Sequence, residues 1–363
     1  MIWGLQNREV EFRIGLVIPL QGPAGIFAPS CEAVAELAAK EVNDRGGLHG
    51  REVAIEVIDG GAAGAEVAKT VGDRLRGRGL DAVTGWHISA VRNALSPVVK
   101  DRIPYVYTSL YEGGERTPGV FCTGETPRIQ IAPALAWLRD HFGIRSWCLV
   151  GDDYVWPRGS AVAARAYCRA LHLDLKSEIY VPFGSDDFRA PVQRVLDSGA
   201  QAVLMLLVGQ DAVLFNREFA TRSGHDQMAR FSPLMEENML LASGAGATKN
   251  MYVAAAYFSS LATAGAMDLM GRYVASYGAD APPLNEMAES CYEGLLTLEA
   301  LFKRARTPAI CDLLACAADV GFDSPRGPMN MRNGHLDQHV YIATAEGYEF
   351  DILDLLQPVD SRC

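Results

Sequence analysis

Short apolar runs alternate with longer segments of helical periodicity along most of the chain. The apolar run Phe12 to Leu20 is followed, after a Gly-Pro break, by apolar residues at Ala33, Leu37, Ala38 and Val42, which share one helix face. The same alternation continues to about residue 122 and restarts near residue 128. Strands and helices that alternate in this way predict an α/β fold in which helices flank parallel sheets.

The alternating pattern occurs in two blocks, and 363 residues exceed the length of one ordinary core. We therefore predict two Rossmann-like lobes, each a parallel sheet flanked by helices. Each predicted lobe combines two segments of the chain: 1–122 with 252–326 for the first lobe, and 123–251 with 327–363 for the second. The chain would cross between the lobes near Cys122, Met251 and Gly327, and three crossing strands predict a hinge that permits closure on a ligand.

Polar and aromatic side chains follow two strands of the first predicted lobe, at the point where each strand ends. One of these strands ends at Gly85 and the next ends at Tyr107. Ligands of open α/β sheets bind at the carboxyl ends of the strands, so the sequence predicts a small-molecule site here. The candidate contacts are Trp86, His87, Ser89, Tyr107, Ser109 and Leu110.

Each candidate contact also has an ordinary structural interpretation. Ser89 is placed to begin a helix, so its hydroxyl can cap that helix or bind a ligand carbonyl or carboxylate together with backbone N–H groups. Tyr107 can offer its hydroxyl and Ser109 can accept from an amide or ammonium N–H, or both can belong to a packed strand end. Trp86 and His87 are candidates for the pocket wall, although a lone histidine is more often a hydrogen-bonded structural residue than a base.

The overall composition limits the possible partners and location. The net charge of −11 argues against nucleic-acid binding, which depends on basic patches. Apolar residues make up 49% of the chain, yet no apolar run approaches the roughly 20 residues that span a bilayer, so we expect no membrane insertion. The N-terminal residues lack the apolar core of a signal peptide. We expect a periplasmic protein if a leader was removed from this sequence, and a cytoplasmic protein otherwise.

The eight cysteines are scattered and form no Cys-x-x-Cys pair, and no histidine cluster lies near them, so we expect no metal and no cofactor. Their scatter fits a reducing compartment better than an oxidising one. The chain contains no Gly-x-Ser-x-Gly, Walker or His-Glu-x-x-His motif, which argues against an enzyme.

Several segments resemble a known family. The stretches 14–23 (Ile-Gly-Leu-Val-Ile-Pro-Leu-Gln-Gly-Pro) and 41–51 (Glu-Val-Asn-Asp-Arg-Gly-Gly-Leu-His-Gly-Arg) resemble the opening of type I periplasmic-binding-protein domains of the leucine/isoleucine/valine-binding group. The segment 323–329 is similar to the third hinge segment of that group. Within the family, the chain looks most like amide-sensing negative regulators of aliphatic amidase operons and amide- or urea-binding transport proteins. The segments that carry this closer likeness are 96–99, 107–113, 151–158, 178–182 and 256–260.

The resemblance implies a function and two possible partners. The protein would be a non-catalytic solute-binding protein that closes on a small polar ligand, such as a short amide, a urea-like compound or an amino acid. One implied partner is the permease of an ABC-type importer. The alternative is an RNA-binding antiterminator that a cytoplasmic sensor holds inactive until the ligand binds.

The resemblance also implies contacts on the second predicted lobe, at Tyr154, Gly209 and Glu236. Tyr154 would clamp the ligand or be a partly exposed loop tyrosine, while Asp152 and Asp153 beside it are expected to cap the following helix. Glu236 would pair with a ligand ammonium group, although a first-turn helix acid stabilised by the helix dipole is the favoured interpretation.

Overall fold

The structure is a computed structural model that describes residues 11–77, 79–222, 227–278 and 280–359. Within these residues the strands are β1 (Glu11–Ile18), β2 (Glu52–Asp59), β3 (Ala82–Gly85), β4 (Tyr105–Tyr107), β5 (Val120–Cys122), β6 (Ser146–Asp152), β7 (Asp174–Val181), β8 (Ala202–Leu206), β9 (Ala229–Ser232), β10 (Met251–Ala255), β11 (Gly321–Ser324), β12 (Gly327–Arg332), β13 (His335–Asp337), β14 (Tyr341–Glu346) and β15 (Glu349–Leu355). The α-helices are α1 (Ala28–Asp44), α2 (Gly64–Arg76), α3 (Ser89–Val99), α4 (Ile131–Phe142), α5 (Val155–Ala170), α6 (Arg189–Asp197), α7 (Gln210–Ala220), α8 (Glu237–Ser243), α9 (Ala264–Tyr277), α10 (Glu286–Arg304) and α11 (Ile310–Cys316). The ends of the predicted lobes, at residues 1–10 and 360–363 with Cys363, lie outside the described residues.

The chain divides into two compact units, each with its own sheet. Unit 1 consists of the described residues within Met1–Ser109, Gly114–Gly124 and Thr263–Gln338. Unit 2 consists of those within Leu110–Gly113, Glu125–Ala262 and His339–Cys363.

The sheet of unit 1 has the strand order β11-β12-β13-β5-β4-β3-β1-β2. The five strands from β5 to β2 are parallel, and the register pairs Leu16 of β1 with Thr84 of β3. Residues 14–18 of β1 and all of β3 and β4 are buried, as expected for parallel strands that helices cover on both faces. Helices α1 and α10 pack against each other, and α10 also contacts β3 and β4. The core of unit 1 therefore lies around its central strands.

The sheet of unit 2 has the strand order β15-β14-β10-β9-β8-β6-β7. Strands β7 to β10 and β6 are parallel, and β8, with the sequence Ala-Val-Leu-Met-Leu, is buried at every residue. An antiparallel hairpin of β14 and β15 extends the sheet beyond β10.

Both sheets are mixed, so the prediction of two parallel sheets is wrong at their edges. In unit 1, β11, β12 and β13 run antiparallel to one another before β13 joins β5. In unit 2, β14 and β15 are antiparallel. The periodicity of the first 250 residues is that of a parallel sheet, and it carries no information about short strands added from the C-terminal segment. The two-unit α/β architecture itself is confirmed.

The structure also places two of the three passages between units later than the sequence pattern does. The strand β10 begins at Met251 but pairs with β9 and β14, so the chain leaves unit 2 only after Ala262. The strands β12 and β13 pair within the sheet of unit 1, so the chain leaves unit 1 only after Gln338. The first main passage, after Gly124, lies close to the predicted Cys122, although the short segment Leu110–Gly113 already belongs to unit 2.

Helix α10 approaches the central strands of unit 1 closely at Gly294. A Cβ at this position would lie 2.8 Å from the Thr108 methyl carbon and closer still to the Thr84 hydroxyl. Both threonines are buried in or beside the sheet, so they have little room to move. The absence of a side chain at Gly294 therefore sets the distance between α10 and the strand ends that carry the candidate site.

Replacing Gly294 with alanine is expected to lower the free energy of unfolding by about 1–3 kcal/mol, because the added methyl group overpacks the helix–sheet contact. The matched control is Gly271→Ala in α9, where a Cβ meets no atom within 4 Å. There the gain in helix propensity should stabilise the protein by up to roughly 1 kcal/mol. Urea unfolding of both variants measures the difference. Equal effects of the two substitutions would contradict the close packing of α10.

Candidate functional site

Two strand ends of unit 1 are held at the same level by the register of the sheet. Gly85, the last residue of β3, pairs with Tyr107, the last residue of β4. Gly85 has a φ of +129°, and a Cβ there would overlap the Val17 carbonyl group of β1. Only glycine permits this backbone conformation and this approach. The chain then turns away from the sheet, and His87 and Ser109 come into contact.

The imidazole of His87 is completely buried and is held at both nitrogens. Its Nδ1 lies 3.0 Å from the Val17 carbonyl oxygen, and its Nε2 lies 2.6 Å from the Tyr105 hydroxyl oxygen. Because a carbonyl oxygen can only accept, Nδ1 carries the proton and Nε2 accepts from Tyr105. Burial lowers the pKa of His87 from 6.5 to about 4, and the charge of Arg92 acts in the same direction. His87 is therefore neutral in the structure.

The backbone of His87 binds both hydroxyl groups at the end of β4. Its carbonyl oxygen accepts from the Tyr107 hydroxyl at 2.9 Å and from the Ser109 hydroxyl at 2.7 Å. Its N–H donates to Ser109 Oγ at 2.9 Å. Each hydroxyl has a single proton, and both protons point to the same carbonyl. Towards a ligand, Tyr107 and Ser109 can therefore act only as acceptors, which narrows the roles predicted for them.

Ser89 is the first residue of α3, and its hydroxyl makes no capping hydrogen bond. The N-cap is Ile88, in an extended conformation, so the expectation that the Ser89 side chain caps this helix is wrong. Ser89 Oγ instead lies 3.5 Å from the Tyr107 hydroxyl oxygen, a long distance for an O–H···O bond. The serine hydroxyl therefore faces the tyrosine hydroxyl at the beginning of the helix.

Arg92 is a buried residue of this region that the sequence reading missed. It lies on the first turn of α3 beyond Ser89, and its guanidinium carbon is 5.2 Å from the centre of the Tyr107 ring. Its Nε is 3.2 Å from Glu115 Oε2, and the two side chains are only 4% and 9% exposed. The spacing of Ser89 and Arg92 on one helix face was the available signal. The ion pair keeps positive charge next to the tyrosine while neutralising most of it.

Trp86 and Leu110 lie on opposite sides of the division between units. Trp86 is buried in unit 1, where its ring meets Phe27 edge to face at 4.7 Å. Leu110 is buried at the start of the short segment of unit 2, whose next residue, Tyr111, donates from its N–H to the Glu125 carbonyl. The structure thus shows a core contact for Trp86, and a ligand contact for either residue stays a prediction.

Tyr154 and Gly209 each precede a helix of unit 2. Tyr154 is the N-cap residue of α5, is half-buried, and contacts the ring of Phe183 at 5.3 Å. Gly209 is the N-cap residue of α7 and has a φ of +52°, a conformation that favours glycine. Their strands, β6 and β8, are neighbours in the sheet. The structure thus brings Tyr154 and Gly209 to the same edge of the unit 2 sheet.

The aspartates before Tyr154 do not cap α5, so that expectation is wrong. Asp152 is completely buried and its Oδ2 accepts from the Val208 N–H at 2.9 Å, at the end of the neighbouring strand. Asp153 is exposed and its carboxylate binds Arg158. Burial and the nearby Asp211 raise the pKa of Asp152 well above its ordinary value.

Glu236 caps α8 from within the unit 2 core. Its carboxylate accepts from the N–H groups of Asn238 at 2.8 Å and Met239 at 2.9 Å, and the residue is 1% exposed. The adjacent Glu237 accepts from the Ser259 N–H at 2.8 Å, and burial raises its pKa. Helix capping is thus the role that the structure shows for Glu236, and pairing with a ligand ammonium group stays a prediction.

Two kinds of site were also searched among the described residues. No helix there combines the length and the apolar composition needed to cross a membrane. In the same part of the chain, no three His, Cys, Asp or Glu side chains converge as a metal-binding group.

A family model described as "Periplasmic binding protein" matches residues 11–349. The chain belongs to the periplasmic binding protein family. This assignment confirms the family predicted from the opening segments. Among curated relatives, a Leu/Ile/Val-binding protein homolog 1 of Brucella melitensis is 26% identical over 213 residues, 57% of each chain. The Leu/Ile/Val-binding protein BraC3 of Rhizobium johnstonii is 24% identical over 192 residues, 52% of each chain. The matches thus span little more than half the length of these relatives.

Solved structures share the fold over nearly the whole chain. An ABC transporter solute-binding protein from R. palustris in complex with benzoate has a TM-score of 0.82 at 19% identity, covering 96% of this chain and 97% of that chain. A branched-chain amino acid transporter substrate-binding protein from Streptococcus pneumoniae in complex with isoleucine has the same TM-score at 17% identity, covering 96% and 100%. At these identities the likeness establishes the fold.

The environment of His87 predicts that its imidazole keeps the Nδ1–H form from about pH 5 to pH 8, where an ordinary histidine titrates. Since its folded pKa is about 4 against an ordinary 6.5, stability should be full above pH 6.5 and fall as the pH is lowered towards 4. The loss over that range is about 3 kcal/mol. Two-dimensional 15N NMR of the imidazole identifies the tautomer, and denaturant unfolding against pH measures the loss. A His87 that titrates near pH 6.5 would contradict this environment.

Proposed function

We propose that this chain is the non-catalytic solute-binding component of an ABC-type importer and binds a small polar ligand at the strand ends of unit 1. The observation that carries the proposal is the arrangement of Ser89, Tyr107 and Ser109 around the backbone of His87. Three hydroxyl groups meet there at the carboxyl ends of β3 and β4, the edge at which ligands of open α/β sheets bind. Family membership and the transport-protein names of the relatives support the same role.

The hydrogen-bond capacities of this arrangement select the chemistry of the ligand. Tyr107 and Ser109 have used their protons on the His87 carbonyl, so they accept N–H or O–H groups of the ligand. Ser89, at the beginning of α3, is the hydroxyl placed to donate to a ligand carbonyl or carboxylate oxygen. A ligand that carries both kinds of group fits this pattern. Amino acids, hydroxylated benzoates and short amides all do, and the first two classes include ligands of the structural relatives.

The residues predicted on unit 2 complete the proposal. Tyr154 and Gly209, at one sheet edge, and Leu110 are proposed contacts that set which member of the ligand class is accepted. Glu236 is proposed to attract a ligand ammonium group, although its two capping hydrogen bonds already use part of its acceptor capacity. The proposed partner is a membrane permease, and the proposed location is the periplasm.

A sensor role is the second candidate, and one observation favours it. The seven cysteines among the described residues are all free, which is typical of a reducing compartment. In that role the protein would bind a short amide in the cytoplasm and hold an antiterminator inactive. Co-purification of an RNA-binding protein that the ligand releases would support the sensor, whereas ligand-dependent stimulation of a permease ATPase would support the importer.

Removal of the Tyr107 hydroxyl should weaken ligand binding by about tenfold, because the ligand N–H or O–H loses its acceptor. The experiment measures Tm shifts and calorimetric Kd values with L-isoleucine, 4-hydroxybenzoate, acetamide and urea on the native protein, Tyr107→Phe and Ser89→Ala. The matched control is Tyr348→Phe, on a side chain that is 52% exposed in unit 2.

Ser89→Ala should weaken carboxylates and amides alike, and Tyr348→Phe should leave every Kd unchanged. The proposal fails if compounds of these classes leave the native Tm unmoved while an unrelated class raises it. It also fails if a ligand binds equally well to the native protein and both unit 1 variants.

A further inference from the structure

A pair of buried carboxyl groups in unit 2 has no role in the proposed ligand contacts. Asp152, the last residue of β6, is 0% exposed, and Asp211, in the first turn of α7, is 1% exposed. Their side chains are hydrogen-bonded to each other. Two ionised carboxylates are both acceptors and repel, so this contact requires a proton on one of them.

The backbone contacts of the pair indicate which member is ionised. Asp211 Oδ2 accepts from the Gly184 N–H at 2.7 Å, and the carboxylate also accepts from the Ser185 N–H. It lies in the first turn of an 11-residue helix, where the helix dipole favours negative charge. All three influences stabilise an ionised Asp211.

Asp152 has the opposite environment. Its Oδ2 accepts from the Val208 N–H at 2.9 Å, and no donor among the described residues reaches its Oδ1. A proton on Oδ1 would donate to Asp211 and satisfy both groups. Burial, followed by the charge of Asp211, raises the pKa of Asp152 well above its ordinary value.

The surrounding elements offer no cation that could replace this proton. Asp153 at the end of β6 is paired with Arg158 of α5, and Asp187 in the loop after β7 is paired with Arg189 of α6. Asp186, in the same loop, is exposed. The influences on the pair come from burial, from its two members and from backbone N–H groups. The neighbouring strand β8 contains no titratable side chain.

We propose that Asp152 and Asp211 share one proton, and that this proton joins the end of β6, the turn after β8 and the loop after β7, thereby positioning Tyr154 and Gly209. Tyr154 follows Asp152 by two residues, and Gly209 lies between Val208 and Asp211 in the chain. The shared proton stands without the proposed function, and only its relevance to ligand binding rests on that function. Because the folded protein retains this proton, stability falls as the pH rises from the ordinary aspartate pKa towards the raised one.

The test uses 13C NMR of the aspartate carboxyl carbons in the ligand-free, full-length protein. Asp152→Asn identifies the resonance, and Asp153→Asn is the matched control at an adjacent, exposed carboxylate. At about pH 7, where ordinary aspartates are ionised, the Asp152 carbon should have the chemical shift of a protonated carboxyl group. Shifts typical of ionised carboxylates for both Asp152 and Asp211 at that pH would overturn the proposal. The native spectrum decides this even if a variant fails to fold.

Amide hydrogen exchange tests the positioning role on the same samples. The protection factors of Val208 and Gly184 in the native protein should drop by about tenfold when the shared proton is lost at high pH, since each N–H then loses a well-placed acceptor. In Asp152→Asn the amide oxygen can accept from Val208 and the NH2 group can donate to Asp211, so protection should become independent of pH. Asp153→Asn should behave like the native protein. An unchanged pH dependence in Asp152→Asn would overturn the positioning role. None of these readouts requires a ligand, so their failure is distinct from failure of the proposed function.

Discussion

The backbone carbonyl of His87 is the point on which the candidate site depends. It accepts hydrogen bonds from Tyr107 and Ser109, and both bonds require that the turn after β3 keeps its position. The imidazole fixes that turn by bonding to β1 through Val17 and to β4 through Tyr105. A charged imidazole would lose the second bond, because Nε2 would become a donor facing a hydroxyl that also serves as a donor. Burial keeps it neutral, so the orientation of the hydroxyl groups follows from the packing of the sheet.

Unit 2 solves the same problem with carboxyl groups. Strand ends expose N–H groups that helices and neighbouring strands do not satisfy, and leaving them unpaired inside a protein is costly. Glu237 binds the Ser259 N–H, and Glu125 binds the Ala256 N–H at 3.0 Å, so two acids hold the segment after β10. Asp152 does the same for Val208 after β8. Ligand recognition in such a fold depends on loops, and these buried acids are what make the loops rigid.

The sequence predicted the repeating strand–helix architecture well because both central sheets are parallel and their strands are continuous apolar runs. It failed at the edges, where β11 and β13 have only four and three residues and no periodicity to detect. It located Ser89, Tyr107 and His87 because they follow strands. It could not assign their hydrogen bonds, since the register that pairs Gly85 with Tyr107 joins residues 22 positions apart in the chain. The reading of Asp152 as a helix cap failed for a related reason, since its partner Val208 lies on a neighbouring strand, 56 residues along the chain.

The central claim is that the strand ends of unit 1 form a ligand-binding surface whose polar groups are set by His87. A crystal structure of the protein purified without added ligand, or soaked with a compound that raises its Tm, tests it most directly. The account predicts electron density for a small molecule with an oxygen beside Ser89 Oγ and an N–H or O–H group beside Tyr107 Oη. A bound ligand that touches neither hydroxyl, for example one lying in the charged groove of unit 1 lined by Glu41, Arg272 and Tyr292, would contradict it.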